Sequence, residues 1–101
     1  MSKASSNKRP AIFIDVDGTL VKWSKRGEGY RARLNTQLVE RLKAEGDGAD
    51  LVLWSRRGRI YAQGMADKFG VADLFCAIIG KPTSIIDDER LDWLKGVSVN
   101  E

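Results

Sequence analysis

The sequence predicts a single α/β domain, with a short parallel sheet of about four strands and helices on both faces. Apolar runs rich in β-branched residues alternate with stretches of helical periodicity, the pattern of strand-helix-strand units joined by right-handed crossovers. A chain of 101 residues with 43% hydrophobic content suffices for one core and not for two independent domains.

The elements follow in order. Residues 1–10 are polar and basic, and are expected to form a flexible tail ahead of a domain over 11–101. Ala11-Ile-Phe-Ile-Asp-Val is a continuous apolar run, as a buried parallel strand requires, and it ends in the turn signal Asp17-Gly18. Leu34, Leu38, Val39 and Leu42 fall at helical spacing, with Asn35 or Thr36 as N-cap and Gly46 past the end, so a helix is predicted over 34–45. Leu51 to Ser55 gives a second strand. Ala62, Met65, Ala66 and Phe69 share one face of a second helix over 60–69, closed by Gly70. Leu74 to Ile79 reads as a third strand, Ile85-Ile86 as a short fourth, and Glu89 to Lys95 as a last helix before Gly96.

Charge informs by position. The formal net charge is +3, and Lys3, Lys8 and Arg9 account for it, since the remaining residues carry equal numbers of acidic and basic side chains. Within the body, positives gather at Lys22, Lys25, Arg26, Arg31 and Arg33, offset only by Glu28, and again at Arg56, Arg57 and Arg59. Such clusters read either as solvated loops or as a field that attracts an anion. Cys76 is the one cysteine, so no internal disulfide is possible; within its apolar run it is expected to be a small buried hydrophobe. Neither a signal-peptide core nor a membrane-spanning stretch is found, and the expected location is cytoplasmic, without a membrane partner.

In open parallel sheets the ligand lies beyond the carboxyl ends of the strands. The polar residues there are Asp15 and Asp17, then Ser55, then Lys81, then Asp87 and Asp88. Carboxylates crowded together resist ionisation unless a cation joins them, and magnesium, which favours oxygen ligands and phosphate, is the expected ion. Taken singly, each has a plainer reading: Asp17-Gly18 a turn, Ser55 an N-cap, Lys81 a surface charge, Asp87-Asp88 the cap of the last helix.

Asp15-Val-Asp17-Gly18-Thr19 resembles the first signature of the haloacid dehalogenase-like superfamily. Leu51-Val-Leu-Trp-Ser55 resembles the second, Lys81-Pro82 the third and Ile85-Ile86-Asp87-Asp88 the acidic fourth, all in that family's order over roughly residues 11–90. The resemblance implies a Rossmann-like domain and a magnesium-dependent phosphatase that passes through a phosphoaspartate. By resemblance Asp15 is the nucleophile and Asp17 the general acid and base. Ser55, Arg56 and Lys81 would hold the phosphate, with backbone N–H groups of Gly18 and Thr19. Asp15, Asp17, Asp87 and Asp88 would bind magnesium, Asp87 directly and Asp88 from behind.

Many members of that superfamily carry a cap domain, and neither place for one has room here, so a capless enzyme is expected. An open site suits a large substrate, or a homo-oligomer whose neighbour covers the mouth. Lys81 precedes Asp87 by only six positions, which bears on whether Lys81 reaches Asp15 in the family's usual way. The 21–33 loop is expected to rise over the site, where Trp23 and Tyr30 would either stack on a base or sugar ring or pack the loop onto the sheet. Trp54 and Trp93 are assigned to the core or its edge. The leading functional reading is a phosphatase for a small phosphorylated metabolite such as a sugar phosphate or nucleotide. The alternatives are a nucleic-acid end phosphatase and a non-catalytic domain that keeps the fold.

Overall fold

A computed structural model describes residues 9–96. Five strands and two α-helices follow one another as β1 (Ala11–Asp15), β2 (Val21–Arg26), β3 (Gly29–Leu34), α1 (Thr36–Glu45), β4 (Asp50–Ser55), α2 (Arg59–Lys68) and β5 (Ala77–Gly80). The class is α/β. β1, β4 and β5 form a three-stranded parallel sheet with β4 in the middle, and β2 and β3 form a separate antiparallel hairpin.

Register decides where the core lies. Ile12 pairs with Leu51, and Ile14 with Leu53, which in turn pairs with Ile78. Partners in register share a sheet face, and these residues join Val39 and Leu42 of α1 and Ala62, Met65 and Ala66 of α2 in one cluster. Both helices therefore pack on one face. Two right-handed crossovers that advance in the same direction, β1 to β4 to β5, place their helices on the same side. The opposite face carries Phe13 and Trp54, whose ring centroids lie 4.5 Å apart, and Phe13 is exposed.

The expected fourth strand and helices on both faces are corrected by this arrangement, and the sheet is not Rossmann-like. Ile85 and Ile86 pair with nothing: every residue from 82 to 96 is exposed, and Ile86 is 100% so. Of the expected last helix, a single 3-10 turn forms at Leu91–Trp93. Three apolar side chains on neighbouring turns need a facing surface to hold a helix, and Leu91, Trp93 and Leu94 have none. Trp93 therefore lies outside the core. Cys76 is also exposed, because Ala72–Leu74 is a 3-10 turn and β5 begins only at Ala77.

Local chemistry explains the elements that form. Asn35 caps α1 by accepting from Leu38 N–H at 3.2 Å, a contact worth about 1 kcal/mol. Its Nδ2 also donates to the Thr19 carbonyl at 3.0 Å, so one side chain joins the helix start to the turn after β1. The hairpin closes through Gly27-Glu28 with Gly27 at φ 61 and no positive φ at Glu28, the φ signs of a type II′ turn. Val21 and Leu34 root it in the core. Arg9, expected in the flexible tail, instead bonds Asp50 at 2.9 Å and the Gly46, Asp47 and Ala49 carbonyls, stapling the entry to β1 against the turn before β4. The rest of the tail, residues 1–8, and residues 97–101 lie outside the described residues. No described helix is long and apolar enough to cross a membrane.

Candidate active site

Asp15 ends β1 opposite Trp54, and Ser55 and Gly80 form the next register step, so Asp15, Ser55 and Lys81 leave adjacent strands at the same sheet edge. They line an open pocket of about 310 Å³ with Asp17, Arg56 and Arg57. Lys81 Nζ lies 3.4 Å from Asp15 Oδ1 and 5.6 Å from the centre of the Trp54 ring. The short link to Asp87 thus does not keep Lys81 away. The Lys81 N–H bonds the Ser55 carbonyl at 2.9 Å, which fixes where its side chain starts.

Ser55 is the one buried polar residue among those described. Its Oγ accepts from the Arg57 N–H at 3.0 Å, which leaves the hydroxyl proton free to point at a ligand oxygen. It does not cap α2: that position belongs to Gly58, which makes no side-chain bond.

Asp17 is held from three directions. Oδ1 accepts from the Tyr61 hydroxyl at 2.6 Å and from Trp23 Nε1 at 2.9 Å, while Arg57 Nη1 stands 3.8 Å from Oδ2. The Arg57 guanidinium also lies over the Tyr61 ring, 4.0 Å from its centre. The Tyr61 bond is the firm one, a short O–H to carboxylate contact; the Arg57 pair is exposed and contributes little. Two donors on Oδ1 leave Oδ2 as the oxygen that can carry an exchangeable proton.

Tyr61 was not legible as a site residue, because the periodicity of α2 assigns function to neither flank of its buried face. Its hydroxyl is pushed up to about 12 from an ordinary 10.0, first by burial and then by the Asp17 carboxylate. A folded-state value above the unfolded one stabilises the protein fully below pH 10 or so and is lost as pH climbs through about 12. Tyr61→Phe should therefore flatten the fall in stability across that interval, measured by urea unfolding at several alkaline pH values. An identical alkaline slope in the variant would remove Tyr61 from the account.

Some expected roles are not met. Gly18 N–H bonds the Val21 carbonyl at 2.8 Å and Thr19 N–H the Val16 carbonyl at 3.2 Å, so both are consumed inside the turn and unavailable to a phosphate. The cause is the turn itself: with Gly18 at φ 84 the chain folds back at once to start β2. Asp87 and Asp88 do not line the pocket. Asp87 Oδ1 accepts from the Glu89 N–H at 3.0 Å, the main reason its carboxyl lies below the usual range. Among the described residues no three acidic, cysteine or histidine side chains gather as a metal cage. Two acidic residues with three basic ones, Arg56, Arg57 and Lys81, give the pocket lining a formal charge of +1.

Comparison of the chain with protein-family models, characterised proteins and solved structures returns no match.

Proposed function

We propose that the pocket hydrolyses phosphate monoesters through a covalent intermediate on Asp15, the reaction that resemblance to haloacid dehalogenase-like hydrolases implies. The observation that carries this reading is the meeting of Asp15 and Asp17 with Lys81, 66 positions beyond Asp15, and with Ser55 at one mouth. An Asp15 carboxylate oxygen attacks phosphorus, and the bond to the leaving oxygen breaks as Asp17 supplies its proton from Oδ2. Water then attacks the phosphorus of the aspartyl phosphate, gives its proton to Asp17 and frees inorganic phosphate and Asp15. Lys81, Arg56 and the Ser55 hydroxyl neutralise charge on the transferring oxygens.

Magnesium commonly takes one or two carboxylates with substrate phosphate and waters; the Asp15 carboxylate would supply one, and since the Asp17 carboxylate is committed to Tyr61, Trp23 and the transferred proton, Asp17 would contribute through its main-chain carbonyl. When bound, it would offset the negative charge of the phosphoryl group. A sugar phosphate, a nucleotide and the end of a polynucleotide all present the reacting group, and an open mouth admits each.

Purified protein is expected to release p-nitrophenol from p-nitrophenyl phosphate in the presence of magnesium, and to stop when the metal is chelated. Absence of release across about pH 5 to 9, with magnesium or manganese, would overturn the reading.

A further inference from the structure

The hairpin has two chemically different sides. Lys22 pairs with Arg33, Ser24 with Arg31 and Arg26 with Gly29 on one side; Val21 pairs with Leu34, Trp23 with Ala32 and Lys25 with Tyr30 on the other. The first side is a row of cations, with alternate residues along a strand about 7 Å apart. Lys25, Arg26, Arg31 and Arg33 make no ion pair among the described residues.

The second side meets the pocket wall through Trp23. Trp23 bonds Asp17 and remains 44% exposed, and Tyr30 further along is 72% exposed beside Lys25. Exposed aromatics with Lys25 on one side of a two-stranded ribbon, and the cations Arg26, Arg31 and Arg33 on its other side, are a composition that suits a single nucleic-acid strand wrapped over the ribbon, rings stacking on bases and cations meeting phosphates. A folding role explains neither: Arg26, Arg31 and Arg33 are exposed without an ion pair among the described residues, and the Tyr30 ring covers little.

We propose that the hairpin docks a single-stranded polynucleotide and leads its phosphorylated end to Asp15. This builds on the phosphatase reading and names its substrate class. Bases rest on Tyr30 and the free part of Trp23 with Lys25 beside them, and the strand passes over the hairpin edge so that the cation row on the reverse side holds phosphates further along. Lack of a cap fits this use, since the polymer's own body shields the mouth.

The test is binding of the whole chain to a fluorescent oligothymidylate of about 12 nucleotides, with and without a 3′-phosphate, over a range of salt. Affinity should fall with a log-log slope of about −0.7 for each phosphate engaged. Combining Arg26→Gln, Arg31→Gln and Arg33→Gln should flatten that slope by about 2, and Tyr30→Ala should weaken binding about tenfold. The corresponding triple change to Lys should preserve binding, and turnover of p-nitrophenyl phosphate should be unchanged in all three proteins. Equal affinity in wild type and the Gln variant would overturn the proposal, as would tighter binding to phosphatidylserine vesicles than to the oligonucleotide. Oligonucleotide binding that depends on the hairpin, in a protein that hydrolyses no aryl phosphate, would support the docking surface while refuting the phosphatase.

Discussion

Asp15→Asn is expected to lower turnover of an aryl phosphate by about three orders of magnitude or more, with the fold intact. The amide matches the carboxylate in size but lacks the charge that attacks phosphorus on the proposed route, so that route would close while the strand end keeps its shape. The stability cost should be small. Among the described residues Asp15 pairs with Lys81 alone, at 3.4 Å and with both side chains partly exposed, and such pairs contribute about 0 to 1 kcal/mol. Phosphate release and circular dichroism on the same sample check both halves. A variant with wild-type turnover would mean that another group is the nucleophile.

Leu53→Ala is expected to destabilise the chain by about 2 to 5 kcal/mol. Leu53 is 0% exposed on the central strand, between Ile14 and Ile78 in register and beneath both helices. Domains of this size hold about 5 to 15 kcal/mol in total, and each kcal/mol moves Tm by about 4 to 8 °C, so a large part of the stability should go. Ile86→Ala is the matching control, the same three-carbon aliphatic loss at a fully exposed position, with an expected change within about 0.5 kcal/mol. Chemical denaturation of the two variants compares them directly. A loss below about 1 kcal/mol at Leu53 would show that the core is not centred on β4.

Much of the scaffold was legible because period and punctuation agreed. Ala11 to Asp15 and Leu51 to Ser55 are apolar on consecutive residues and end in polar ones; the helix expected over 34–45 forms over 36–45, capped by Asn35, one of its two candidate caps, while Leu34 belongs to β3. The hairpin was not legible: its alternation survives in Val21, Trp23, Ala32 and Leu34, but lysines and arginines at the remaining positions read as loop charge. Ile85-Ile86 misled in the opposite sense, since two β-branched residues look like a strand whether or not an edge is available to them. Within the site, strand-end residues Asp15, Ser55 and Lys81 could be read from pattern alone. The Tyr61 and Trp23 bonds to Asp17 could not, because they depend on how α2 and the hairpin lean toward the turn after β1.

The register of the parallel sheet carries a thermal consequence. Asp15, Ser55 and Lys81 occupy neighbouring rungs of one ladder, anchored by main-chain bonds whose strands lie about 4.8 Å apart. Warming can fray the exposed 82–96 segment without moving any of the three. Once β4 lets go of either partner, the three side chains scatter at once, so any activity that the proposed site carries should be lost at the temperature of cooperative melting.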